Sequence, residues 1–161
     1  MDNINRNHSF LNNITNDDIR NLPVHHFPGK IWLINNNSKL DLLEQKLVQH
    51  KILGFDTETR PSFKKGKKYK VSLVQLATED EAFLIRLNKV GLPDVLVRLF
   101  ENENIKKIGL ALRDDISALN RLRPFTPDGF IDLQQYVKNF EILDNGLKKL
   151  TANILGFRIS K

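Results

Sequence analysis

Gly54-Phe55-Asp56-Thr57-Glu58-Thr59-Arg60-Pro61-Ser62-Phe63 continues an apolar run, Ile52 to Phe55, and carries two acids at i and i+2. In an extended strand successive side chains point to opposite faces, so Asp56 and Glu58 share one face and Phe55 and Thr57 take the other. Their Cα atoms lie roughly 6–7 Å apart, at about 3.3 Å of rise per residue. Two carboxylates at that separation repel each other and lose solvation unless a cation or a donor compensates. A divalent ion between them would do so. The alternative is a strand end whose acids are both solvated.

The chain beyond this strand is basic. Between Thr59 and Thr78 lie Arg60, Lys64, Lys65, Lys67, Lys68 and Lys70, with no acid among them. Those six cations equal the whole net charge of +6, so the remainder of the chain is balanced. Gly66 in the middle marks a loop tip. Such a loop attracts phosphate backbones without regard to sequence. The alternative is a solvated hairpin whose lysines discourage edge pairing. Its position directly after the acidic strand favours the phosphate reading.

Outward from there the pattern alternates. Thr15-Asn16-Asp17-Asp18 predicts a capped short helix that stops before Pro23, and Lys30 to Ile34 a short strand. Ser38 is expected to cap a helix running to about His50, with Leu40, Leu43, Leu47 and Val48 as its apolar stripe. Strands are expected at 52–58, 70–78 and 82–87, the last two forming a hairpin. Pro93 opens a helix to about Glu101, and Ile105 to Leu110 is a strand. Helices follow near 113–122, 133–140 and 146–156. The order predicts an α/β sheet with antiparallel neighbours first and later strands reached by helical crossovers. No dinucleotide-binding Gly-x-Gly-x-x-Gly and no phosphate-loop Gly-Lys-Ser/Thr occurs.

Lys106-Lys107-Ile108-Gly109-Leu110-Ala111-Leu112-Arg113-Asp114-Asp115-Ile116-Ser117-Ala118-Leu119 offers a third acid. Leu112, Ile116 and Leu119 mark the inward face of a helix, and Asp115 falls on that face while Asp114 is rotated away. An acid there needs a partner, which a metal at the sheet edge provides. The helix dipole alone explains Asp114 better than Asp115. Asp132, ahead of the stripe Leu133, Tyr136, Val137 and Phe140, is expected to be an N-cap of its own helix.

Composition narrows the class. At 161 residues, 40% apolar and 27% charged, this is expected to be one soluble globular domain. No apolar stretch approaches the ~18–20 residues of a membrane span. The polar, Asn-rich first residues lack a secretory h-region. With no cysteine and four scattered histidines, disulfides and a zinc site are not expected, and a reducing, cytoplasmic location is.

The stretch from the apolar lead-in through Asp56-Thr57-Glu58-Thr59 to Phe63, continued by Val71-Ser72-Leu73-Val74-Gln75-Leu76-Ala77-Thr78, resembles the first motif and second strand of the DEDD 3′-5′ exonucleases. The branch is that of RNase D and the Werner exonuclease domain. The resemblance implies an RNase H-like fold over 29–161, preceded by a polar extension, 1–28, with a short helix. It implies a metal-dependent 3′-5′ exonuclease acting by a two-metal-ion mechanism, with two Mg²⁺ or Mn²⁺ ions. Asp56 would bridge the ions, Glu58 would ligate one and position the water, and Asp115, matched through Gly109, would hold the second. The implied partners are single-stranded DNA or RNA and its 3′ ends, contacted by Thr57, Arg60, Lys64, Lys65, Lys67, Lys68 and Lys70. The branch also carries a fourth acid in a late Tyr-x-x-x-Asp, which is missing here: neither Tyr69 nor Tyr136 has an aspartate four residues on, and Phe140 to Asp144 has the spacing without the hydroxyl. The chain therefore reads as a C-terminally incomplete exonuclease domain, expected to be impaired alone and to self-associate through exposed apolar surface. A catalytically impaired nucleic-acid-binding module of the same fold and a purely structural domain are the competing readings.

Overall fold

The structure, a computed structural model, describes residues 10–59 and 69–159. The chain divides into two compact units. One is continuous, Pro28–Asp132, and the other joins the residues up to Phe27 with those from Leu133 onward. Of the residues before Pro28, the described ones group with the C-terminal part of the chain.

In that second unit α1 (Asn16–Asn21) is closed by a capping box. The Thr15 hydroxyl accepts from the Asp18 N–H at 3.1 Å, and the Asp18 carboxylate accepts from the Thr15 N–H at 3.2 Å. After it β1 (Val24–His25) forms a short strand.

The continuous unit follows. It holds β2 (Lys30–Ile34), α2 (Leu40–Leu47), β3 (Ile52–Thr59), β4 (Val71–Ala77), β5 (Glu81–Arg86), α3 (Leu87–Val90) and α4 (Asp94–Glu101). Then come β6 (Lys106–Gly109), α5 (Leu112–Leu122) and β7 (Phe130–Asp132). Six of these strands make one sheet in the order β2-β5-β4-β3-β6-β7. The pairs β3–β4 and β4–β5 are antiparallel, while β2–β5, β3–β6 and β6–β7 are parallel. This is the mixed α/β sheet expected from the sequence, an antiparallel meander β3-β4-β5 and later strands returned by helices, with β2 added in parallel at the edge. Alternation along β3 buries Leu53, Phe55 and Thr57 and leaves Asp56 and Glu58 exposed. Leu53 and Phe55 join Val74, Leu76, Phe83 and Ile85 of the meander in a core shared with α2, α4 and α5.

Several expectations change. Ser38 does not cap α2: it lies within a 3₁₀ turn, Asn37–Lys39, where its hydroxyl donates to Asn36 at 2.6 Å, and the α-helix begins at Leu40. Val48 leaves the apolar stripe because it is the C-cap, where the chain turns outward, and it is exposed. The helix expected over 133–140 is instead one α-turn, α6 (Leu133–Tyr136), followed by a 3₁₀ turn, Val137–Phe140. Strands β1 and β7 and helix α3 are too short to show a period.

The remaining elements complete the discontinuous unit: α6, α7 (Leu147–Leu155) and β8 (Arg158–Ile159), which pairs parallel with β1. Its small core is Ile14, Ile19 and Ala152 with Leu22 against them. Asp144, whose spacing from Phe140 imitates the late family motif, is buried here. It accepts the Ile14 N–H at 2.7 Å and pairs with Lys149 at 2.6 Å.

Candidate active site

The C-terminal end of β3 carries the acids. Asp56 stands opposite Gln75 and Glu58 opposite Leu73 on β4. Thr59 then pairs with Val71, which leaves Ser72 without a register partner. This is a β-bulge, and the Ser72 hydroxyl donates to the Glu58 carbonyl at 3.1 Å across it. Behind the acids, Phe55 packs edge-on against Phe100 and Phe130, with ring centres 5.6 and 5.2 Å away. Phe125 extends the cluster through Phe100. Two aromatic rings thus pack directly on Phe55, the residue that precedes Asp56, and a third backs one of them.

Helix α5 delivers the third acid. Leu112 and Leu119 are buried and Ile116 half-buried, so the inward face is the expected one. Asp114 is exposed and Asp115 half-buried. The Asp115 carboxylate accepts a hydrogen bond from the Thr57 hydroxyl. Thr57, expected among the nucleic-acid contacts, is turned to the buried face instead, and its hydroxyl serves Asp115.

The carboxylates feel one another. Although Asp56 reaches the surface, partial desolvation of its carboxylate raises its pKa, and the charge of Glu58 adds to the rise, against a hydrogen bond from the Thr57 backbone. Burial likewise raises Asp115, with the charges of Asp56 and Asp114 acting in the same direction and the Thr57 hydroxyl opposing them. Among the described residues no Lys or Arg forms an ion pair with Asp56, Glu58 or Asp115. Oxygen donors with uncompensated charge suit a hard divalent cation rather than zinc. The convergence is partial: among the described residues no three metal-ligating side chains gather closely enough to hold an ion together. The physical reason lies in the strand's alternation. Asp56 and Glu58 project from one face of β3, and Asp115 is drawn to Thr57 on the other.

Of the expected phosphate contacts, Lys70 is exposed just ahead of β4. Arg60, Lys64, Lys65, Lys67 and Lys68 lie outside the described residues.

Asp132 closes the start of a helix well before it in the chain. Its two carboxylate oxygens accept the N–H groups of Ala111 and Leu112, at 3.1 and 3.2 Å, and so close the start of α5. The sequence signal for this was a helix start, Leu110-Ala111-Leu112, with no capping residue of its own. Gly109, on the same turn, touches β3 so closely that a Cβ would meet the Phe55 carbonyl oxygen and lie 2.5 Å from a Leu112 methyl. A Cβ at this position would force β6 and β3 to shift apart beside Phe55.

Compared with known proteins, residues 31–161 match the family model described as 3′-5′ exonuclease. The chain is 31% identical over 134 residues to the bifunctional 3′-5′ exonuclease/ATP-dependent helicase WRN of Mus musculus, covering 80% of this chain and 9% of that protein. It is 36% identical over 142 residues to the putative 3′-5′ exonuclease R431 of Acanthamoeba polyphaga mimivirus, covering 80% of this chain and 32% of that one. The chain thus spans a third or less of the length of these curated relatives. Among solved structures, the EXD2 exonuclease domain soaked in Mg and GMP superposes with a TM-score of 0.61 at 27% identity, covering 81% of this chain and 72% of that one.

Proposed function

This chain belongs to the 3′-5′ exonuclease family, and on that footing we propose that it removes nucleotides one at a time from the 3′ end of a single nucleic-acid strand. The observation that carries the reading is the acidic face of β3. Asp56 is held high in pKa by partial desolvation and by Glu58, and Asp115 is brought from a separate helix into the field of Asp56. No described cation answers these charges, an arrangement that favours a bound divalent metal, Mg²⁺ or Mn²⁺.

Asp56 and Glu58 would hold the metal, with Asp115 alongside. The chemistry a pair of such ions supplies is a water acidified for attack and a neutralised leaving oxygen. Glu58 would orient that water and accept its proton on the exposed side of the strand. The water oxygen joins the phosphorus of the terminal phosphodiester, the bond to the preceding 3′-oxygen breaks, and that oxygen takes up a proton. A nucleoside 5′-monophosphate leaves. Lys70 and the basic run from Arg60 would steer the backbone by charge alone, so grip would be insensitive to sequence.

The test uses a 5′-labelled single-stranded oligonucleotide with Mn²⁺. A ladder shortening from the 3′ end is expected, and Glu58→Gln should slow it by about 10²–10⁴-fold. Degradation that proceeds unchanged in Asp56→Asn and Glu58→Gln would remove the assignment.

A further inference from the structure

Helix α5 begins under strain. The position before it, Ala111, sits at φ 55, a left-handed conformation uncommon away from glycine. No side chain at that position caps the helix. Both N–H groups of this turn are instead taken by Asp132, one to each carboxylate oxygen. The sheet makes this reach possible. Asp132 ends β7 and is the register partner of Gly109, the last residue of β6, so it stands beside the turn that leads from β6 into α5. A carboxylate here also complements the positive end of the helix. Asp115 lies within the first turn of that helix, where its carboxylate accepts the Thr57 hydroxyl.

We infer that Asp132 is a positioning residue for the exonuclease site: by bracing the Ala111–Leu112 turn it fixes where α5 starts, and thereby holds Asp115 against Thr57 on the strand that carries Asp56 and Glu58. Its functional meaning rests on the exonuclease reading, while the geometry it asserts does not. An ordinary cap would stabilise α5 and leave Asp115 in place, because Leu112 and Leu119 already anchor the helix in the core. A positioning role makes Asp115 move when Asp132 changes. Three features point to the second. The strained residue is held by the same carboxylate, Gly109 leaves no slack against Phe55, and Asp115 is only three positions beyond the braced Leu112.

The experiment compares the whole chain with Asp132→Ala and Asp132→Asn by NMR, without nucleic acid, and by exonuclease kinetics. Asp132→Asn keeps the size and one acceptor oxygen, and it carries the test should the alanine variant not fold. Amide exchange at Leu112 is expected to quicken roughly fivefold, the equivalent of about 1 kcal/mol for a lost cap. The carboxyl-carbon resonance of Asp115 should shift, and its NOE to the Thr57 side chain should weaken. Broadening of Asp115 by added Mn²⁺ should fall relative to that of Asp56. In kinetics, kcat should drop about tenfold to a hundredfold with KM for the oligonucleotide unchanged, and Asp132→Ala should add nothing in an Asp115→Ala background. Faster exchange at Leu112 with an unmoved Asp115 resonance and NOE would reduce Asp132 to a stabilising cap and overturn the inference. So would losses from Asp132→Ala and Asp115→Ala that simply multiply. A wild-type chain with no exonuclease activity would sink the functional reading, and the Asp115 resonance would still decide the positioning.

Discussion

Replacing Lys107 with methionine isolates the cost of a buried charge in the sheet. Lys107 is fully buried, and its ammonium donates to the carbonyls of Asn102 and Ile105 at 2.7 and 2.8 Å and lies 5.1 Å from the centre of the Phe130 ring. Burial lowers its pKa from 10.5 to about 8, Asp128 opposing the fall and Lys106 adding to it. The unfolded chain therefore binds more protons than the folded one between pH 8 and 10.5, so stability rises with pH through that window. Below it the penalty is fully present. A fall from 10.5 to about 8 corresponds to about 3 kcal/mol, at about 1.4 kcal/mol per pH unit. Roughly 2 kcal/mol of that should be recovered on going from about pH 7 to about pH 9.5. Methionine keeps the unbranched stem and removes the charge. The two hydrogen bonds it gives up cost the same at both pH values and cancel in the comparison. Urea unfolding of both proteins at the two pH values is the assay. Wild type should gain about 2 kcal/mol relative to Lys107→Met. Equal changes in the two proteins would refute the claim that this amine is held out of water.

Three further outcomes are expected. In chelator at neutral pH, Asp56→Asn should melt above wild type by calorimetry. A carboxyl whose folded pKa is raised disfavours the fold when ionised, so wild type should close the gap as the pH falls, and added Mg²⁺ should favour wild type. Gly109→Ala should cost about 1–3 kcal/mol in chemical denaturation, because the obstructing atom is the Phe55 backbone carbonyl; a variant as stable as wild type would mean that β6 and β3 part freely there. Replacing Lys64, Lys65, Lys67 and Lys68 with Ala should weaken single-strand binding for all sequences alike and reduce the slope of log affinity against log salt by up to about 3, whereas an unchanged slope would leave those lysines as mere solvated charge.

The meander and the acidic strand were legible because their signals are local. β3 alternates, β4 and β5 are joined by a two-residue turn, and Leu112, Ile116 and Leu119 select Asp115 over Asp114 by helical period alone. What stayed hidden depends on partners far along the chain. Lys106 and Lys107 look alike in sequence, and only pleat parity against the rest of the sheet makes one exposed and the other buried. Asp132 was readable as a cap, but its hold on a helix that begins twenty residues earlier lies beyond any local rule. The place of β2 at the sheet edge, parallel to β5, likewise leaves no trace in its own five residues. The burial of Thr57 follows from the same alternation that exposes Asp56; its family-based role as a nucleic-acid contact had masked that.

The parallel pairing of Val24 with Arg158 and of His25 with Ile159 sets an order of events during synthesis. The continuous unit, Pro28–Asp132, leaves the ribosome with every strand of its sheet in hand. Residues up to Phe27 have by then been waiting, since the partners of Ile14 and Val24 are not yet made. At about 5–20 residues per second, that delay is on the order of ten seconds. Throughout it Ile14 and Ile19 are bare apolar groups on a tethered segment, available to chaperones or to a neighbouring nascent chain. Helix α1 is thus translated before the sheet and completes its packing after it.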